Sequence, residues 1–191
     1  FVSKFLNVRR FLEQGNGNMG PSKFLLICGA LALVGAAVPI VIGKFMYLAP
    51  LTGALMAALP FGWAWWKRRG RLRKFAEQLP DCLELIARAL RAGHSLAAGF
   101  HLVGEETSSP AGDEFSRVYE EQNLGIPLEE ALEDMTERIP NLDLRFFATA
   151  VIIQRQSGGD LAEILDKIGH LIRERFKIWG QVQALTGEGR L

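Results

Sequence analysis

The sequence has little of what enzymes and metal sites are built from. Its 191 residues include only two cysteines, Cys28 and Cys82, and three histidines, His94, His101 and His170. The cysteines have neither the spacing of metal ligands nor the number of a disulfide framework, so we interpret both as small packed side chains. No histidine belongs to an H-E-x-x-H pair. The sequence therefore predicts no metal ion, no cofactor and no catalytic residue.

A phosphate-binding loop is also missing. No segment reads G-x-x-x-x-G-K-[ST], which excludes an ATPase of that class. The run Gly158-Gly159-Asp160 is superficially similar to the loop of cyclic-nucleotide cyclases, but Leu161-Ala162 follow it and helical patterns flank it on both sides. The end of one helix and the start of another is the better interpretation. We therefore predict that the protein is not an enzyme.

Acidic residues are nearly absent from the first 74 residues. This region contains 11 Lys and Arg, and Glu13 is its one acidic residue, whereas residues 75–191 contain 11 basic and 20 acidic residues. The near-neutral total charge of +1 therefore hides two regions of opposite sign.

Charge is missing altogether from two neighbouring stretches, residues 24–43 and 45–66, which Lys44 separates. A helix of about 20 apolar residues matches the bilayer hydrocarbon core of about 30 Å. A lone lysine near the end of a span can lift its ammonium group to the interface. Residues 24–66 therefore predict a transmembrane helical hairpin.

Basic residues on both sides of this hairpin predict that its two outer ends are cytoplasmic. Residues 1–23 predict an amphipathic juxtamembrane helix and a linker. Trp63, Trp65 and Trp66 indicate headgroup depth just before the basic segment 67–74. We interpret that segment as a membrane-surface contact with lipid rather than a nucleic-acid site. Its basic residues are Lys67, Arg68, Arg69, Arg71, Arg73 and Lys74.

Residues 75–191 have a hydrophobic period of 3.6 and no alternating run, so they predict an all-α domain. Helix breakers divide this region into six helices. The fifth, Leu142–Ile153, is apolar nearly all round, and we expect it to be buried among the others. The sixth runs from Asp160 to Thr186, about 40 Å at helical rise, which is long enough to leave the bundle and return to the membrane.

The fourth of these helices, which begins at Pro127, has an acidic face opposite its apolar stripe. Its acids are Glu129, Glu130, Glu133, Asp134 and Glu137. Like charges four residues apart repel by a few tenths of a kcal/mol per pair, so the array brings no local benefit. Two interpretations stay open. The face is either simply solvated or a docking surface for a basic partner, because such a patch speeds encounter and suppresses wrong partners.

Several motifs follow one another in a specific order after the basic segment. They are Phe75-Ala76-Glu77-Gln78-Leu79-Pro80-Asp81, Ala89-Leu90-Arg91-Ala92-Gly93-His94-Ser95-Leu96, Gly125-Ile126-Pro127-Leu128-Glu129-Glu130-Ala131-Leu132, Gln154-Arg155-Gln156-Ser157-Gly158-Gly159-Asp160-Leu161 and Ala184-Leu185-Thr186-Gly187-Glu188-Gly189-Arg190. From about Pro21 to the end, the sequence resembles the TadB-type platform proteins of Tad (Flp) pili, which belong to the type II secretion system F-domain family.

The resemblance implies a multi-pass protein of the bacterial inner membrane with a six-helix F domain, residues 75–191, in the cytoplasm. It also implies a platform over a hexameric secretion ATPase, which pairs with a TadC-like platform protein in a homo- or hetero-oligomer and couples ATP-driven motion to the insertion or extraction of pilin subunits. Family members carry further membrane segments on both sides, so we expect the sequence to be a piece of a longer protein. The alternative function is a membrane-anchored helical scaffold or signalling module, although Gly43-Lys44 offers no external domain to sense a stimulus.

Overall fold

The computed structural model describes residues 49–188, with side chains at residues 62–63 and 65–182. Over this range the chain forms six helices and no strand, which confirms the predicted all-α class. The helices are α1 (Ala49–Arg91), α2 (Leu96–Glu106), α3 (Ala111–Asn123), α4 (Leu128–Arg138), α5 (Leu142–Ser157) and α6 (Leu161–Glu188). The chain divides into two units, Phe1–Arg71 and Leu72–Leu191.

Within residues 49–188, no helix combines the length and the apolarity that crossing a bilayer requires. The predicted juxtamembrane segment 1–23, the first predicted span 24–43 and Cys28 lie outside the described residues. The transmembrane hairpin therefore stays a prediction.

In the second unit, α2 packs against α3, α3 against α4, α4 against α5 and α5 against α6. Arg91, the last residue of α1, pairs with Asp166 near the start of α6, whereas Asp81, earlier on α1, accepts a hydrogen bond of 2.8 Å from Arg173, later on α6. These two helices are therefore antiparallel. We call the end of the bundle with the loops 92–95, 124–127 and 158–160 the distal end, and the end with Leu72 and the loops 107–110 and 139–141 the proximal end.

Apolar side chains of all six helices fill one continuous core in this unit. The predicted stripe of α1 is buried over Phe75, Leu79, Cys82, Leu83, Ile86 and Ala89. At the centre, the rings of Phe100, Phe115 and Phe147 form a cluster with centroid separations of 5.7, 5.9 and 6.4 Å. Aromatic pairs at these distances contribute about 0.5–1.5 kcal/mol each beyond their burial.

Helix α5 is not buried all round, so that prediction was wrong. Leu144, Phe147, Ala148 and Val151 are buried, but a second apolar face is open to solvent. The exposed fractions are 64% at Leu142, 60% at Phe146 and 56% at Ile153. The physical reason is that Phe146 lines an open groove beside Ile168, Leu171 and Ile172 of α6, and no described helix covers Leu142 and Ile153.

Gln78 on α1 fixes the loop between α2 and α3 at the proximal end. Its Nε2 donates hydrogen bonds of 3.0 Å to both the carbonyl oxygen and the Oγ of Ser108, and its Oε1 accepts one of 3.3 Å from the backbone N–H of Ala111. The first N–H groups of a helix have no partner within the helix. A side chain of α1 therefore caps α3.

Gly112 allows α3 to start directly beside the end of α2. A Cβ at this position would lie 2.0 Å from the carbonyl oxygen of Thr107 and 3.2 Å from that of Gly104. Both neighbours are backbone atoms, so the contact cannot be relieved by rotating a side chain.

We therefore expect Gly112→Ala to lower the free energy of unfolding by about 1–3 kcal/mol, because the backbone must shift to admit the methyl group. Gly180→Ala is the matched control: it lies in α6 with no atom within 4 Å of its added Cβ. That change should raise stability by up to about 1 kcal/mol through helix propensity. Denaturation of the detergent-solubilised protein, followed by circular dichroism, measures both. Equal stability of the two variants would contradict the packing described here.

Candidate docking surface on the fourth helix

The acidic face of α4 is exposed, and its opposite face is part of the core. Leu128, Ala131, Leu132 and Met135 are buried together with Ile139, as the apolar stripe predicted. Glu130, Glu133, Asp134 and Glu137 are exposed, and Glu129 is half-exposed. The structure thus places all five predicted acids on the outer side of one helix.

The first two acids of this face have a structural explanation. Glu129 and Glu130 lie in the first turn of α4, where the partial positive charge of a helix N-terminus stabilises carboxylates. Glu129 Oε1 is also 3.6 Å from Nη1 of Arg155 on α5. Glu133 and Asp134 are beyond the first turn, and within the described part of the chain they have no ion pair. Their position gains nothing from the helix terminus.

A buried ion network attaches the end of α4 to α3. Arg138 Nε donates a hydrogen bond of 2.9 Å to Glu114 Oε2, and Arg138 Nη1 lies 3.5 Å from Glu121 Oε1. Glu121 Oε1 also accepts a hydrogen bond of 2.9 Å from Nε of Arg117. The Glu114 and Arg138 side chains are only 7% and 15% exposed. Sequence analysis missed this network because charged residues are usually solvated. The sequence does contain one indication of the network: Glu114 and Glu121 are seven residues apart, which puts both on one face of α3.

A second partly buried pair joins the start of α5 to α6. Asp143 is buried and accepts two hydrogen bonds from the Arg175 guanidinium, at 2.9 and 2.5 Å. Hydrogen bonding to Asp143 raises the pKa of Arg175. On the other side of α6, Arg173 bonds to Asp81 and Glu84 of α1, which likewise raises the pKa of Arg173. These charge-assisted bonds set the position of α6 along its neighbours.

The predicted membrane-surface residues are all helical. In the first unit, Lys67 Nζ lies 5.1 Å from the ring centroid of Trp63, and Arg69 Cζ lies 5.3 Å from that of Trp65, while Arg68 and Arg71 are partly buried. In the second unit, Arg73 pairs with Glu77 at 2.9 Å, and Lys74 is exposed. The prediction that these residues contact lipid stays a prediction.

The nucleophilic and metal-binding side chains that sequence analysis noted are not brought together. In the described residues, no group of three or more His, Cys, Asp or Glu could hold a metal ion. All three histidines are exposed, and the ring of His101 stacks on Tyr119 at 4.7 Å. Cys82 is buried, as predicted, and this burial raises the pKa of its thiol to about 11.

Comparison with known proteins places this helical bundle in a family. The sequence model described as "Type II secretion system (T2SS), protein F" matches residues 82–191, more than half of the chain. This chain belongs to the type II secretion system protein F family. The match covers the last ten residues of α1, all of α2 to α6 and thus the whole acidic face.

Among curated proteins, the chain is similar to an uncharacterized protein of Methanocaldococcus jannaschii. It is 24% identical over 189 residues, which are 96% of this chain and 61% of the archaeal protein. The F-family chain therefore spans less than two thirds of that relative. No solved structure matches the chain.

The network around Arg138 predicts a large loss of stability on mutation. Arg138→Met removes the cation that Glu114 and Glu121 share, although Glu121 keeps the exposed Arg117, and we expect the free energy of unfolding to fall by about 3–5 kcal/mol. Arg117→Met is the matched control, since this arginine is exposed and touches the same Glu121; its loss should be below about 1 kcal/mol. Urea denaturation of both variants makes the comparison. Similar losses would show that the buried network does not hold α4 in place.

Proposed function

We propose that this protein is a TadB-type platform protein of a Tad (Flp) pilus machine in the bacterial inner membrane. Its helical domain lies in the cytoplasm and docks a hexameric secretion ATPase through the acidic face of α4. It has no active site of its own and couples ATP-driven motion to the insertion or extraction of pilin subunits. Pairing with a TadC-like platform protein in an oligomer is part of the same proposal, which rests on the resemblance and on membership of the F family.

The observation that carries the docking proposal is the exposed run of acids on α4. Five carboxylates within nine residues attract a basic partner and orient it before contact. Glu133 and Asp134 also repel their acidic neighbours on α4 and gain nothing from the helix N-terminus. The cations of a partner would offset this repulsion between the carboxylates of α4.

A motor can push only on an element that is firmly attached to the rest of the domain. The inner face of α4 is part of the core, and Arg138 ties its last turn to α3 through buried carboxylates. Breaking such a buried pair costs several kcal/mol, far more than breaking an exposed ion pair. A force applied to the acidic face is therefore transmitted to the whole bundle.

The proximal end of the bundle supports the proposed attachment to the membrane. Leu72 of α1 and the last turns of α6 lie at this end, and no described residue of α6 after Ile172 is buried. This part of α6 exposes an aromatic and aliphatic surface between basic residues, consisting of Phe176, Ile178, Trp179 and Val182. Apolar and aromatic side chains flanked by cations are typical of segments at the lipid interface.

The docking proposal predicts that reversing the acids weakens the complex. We expect the triple variant Glu130→Lys, Glu133→Lys and Asp134→Lys to lower the association rate for the purified secretion ATPase at least about tenfold at low salt, and less as salt screens the charges. The matched control reverses three exposed acids elsewhere, Glu106, Glu120 and Glu174, with the same change in net charge. Biolayer interferometry with the chain in nanodiscs measures both variants. Equal effects, or none, would rule out α4 as the contact.

A further inference from the structure

A cavity of about 420 Å³ opens at the distal end of the bundle. It lies where α2, α4 and α6 begin and α3 and α5 end. Its lining residues are Leu96, Ala97, Gln122, Leu128, Gln154, Arg155, Gly158, Gly159 and Leu161. Parts of three motifs that are far apart in the sequence thus meet around one space.

The Gly158-Gly159 pair shapes one wall of the cavity. Gly158 ends α5 in the left-handed region at φ 75°, where a side chain would be strained. Gly159 leaves room for the carboxamide of Gln154, because a Cβ there would lie 1.8 Å from Nε2 of Gln154.

Gln122 gives the cavity a polar group without a partner. Its Oε1 is buried and accepts no hydrogen bond from any described residue. A buried polar atom without a partner costs about 1–3 kcal/mol, so such groups are rare unless something else satisfies them. A half-turn about the last side-chain bond exchanges the positions of the oxygen and the NH₂ group.

The chemistry of the lining fits a peptide. Three leucines, Leu96, Leu128 and Leu161, provide an apolar surface, and the two carboxamides of Gln122 and Gln154 can each pair with the C=O and N–H groups of a backbone. A volume of this size admits one large apolar side chain with its neighbouring peptide bonds.

The cavity also adjoins the acidic face of α4. Glu129 directly follows the lining residue Leu128 and pairs with Arg155, which lines the cavity as well. A protein that docks on the acidic face of α4 therefore lies next to the mouth of this cavity.

We propose that the distal cavity receives an extended segment of the docked secretion ATPase, which inserts one apolar side chain between the three leucines and pairs its backbone with Gln122 and Gln154. This inference rests on the proposed function and adds a second contact to it. The acidic face accelerates association and depends on salt, whereas the cavity slows dissociation and depends little on salt.

The test measures association and dissociation rates of the purified hexameric ATPase on the full chain in nanodiscs, at low and physiological salt. Ala97→Phe fills the cavity from α2, and Gln122→Ala removes the unpartnered carboxamide. We expect each variant to dissociate about tenfold faster with an unchanged association rate, the size of effect typical of losing a buried interface contact. Gln156→Ala, an exposed glutamine on the same end of α5 that does not line the cavity, is the matched control and should behave like the unaltered chain.

The possible results separate the two proposals. Faster dissociation of Ala97→Phe and Gln122→Ala, but not of Gln156→Ala, supports the cavity as the second contact. If the ATPase binds and the cavity variants dissociate at the unaltered rate, the cavity inference is wrong and the docking proposal stands. If the ATPase does not bind the unaltered chain, both are wrong. Because Gln122→Ala only shortens a side chain, it keeps the test valid should Ala97→Phe fail to fold.

Discussion

The shared core along α1 is the constraint on which the rest of the second unit depends. Phe75, Leu79, Leu83 and Ile86 are fully buried among the other helices, so α1 cannot slide without exposing them. At one end Gln78 of α1 caps α3, and at the other Arg91 pairs with Asp166 of α6. With the part of α1 from Phe75 to Arg91 held by these contacts, the directions of the later helices decide which loops meet at each end.

Charged residues have two separate roles in this bundle. Inside, the buried pair of Arg138 and Glu114 joins α4 to α3, and the half-exposed Arg175 bonds to buried Asp143 and joins α6 to α5. Outside, Glu130, Glu133 and Asp134 of α4 are exposed to solvent. The distinction matters because buried pairs are costly to break, whereas exposed charges mainly affect how partners approach.

Hydrophobic periodicity was sufficient to predict six helices and the buried stripes of α1 and α4, because each stripe is a local property of its own helix. It was not sufficient for α5, where Phe146 and Ile153 are exposed, since the number of neighbours around a helix is a tertiary property. The partnership of Glu114 with Arg138 was missed for the same reason. The distal cavity could not be predicted from the sequence, although its motifs were noted. Nothing in the spacing of Gln122 and Gly159 indicates that both line the same cavity.

Hydrogen–deuterium exchange of the chain in nanodiscs, with and without the secretion ATPase, tests the central claim most directly, because it maps the contact without altering a residue. The account predicts slower exchange in α4 and in the distal loops 92–95, 124–127 and 158–160, and unchanged exchange in the proximal loops 107–110 and 139–141. Protection confined to the proximal loops or to the outer face of α5, or no protection anywhere, would contradict it.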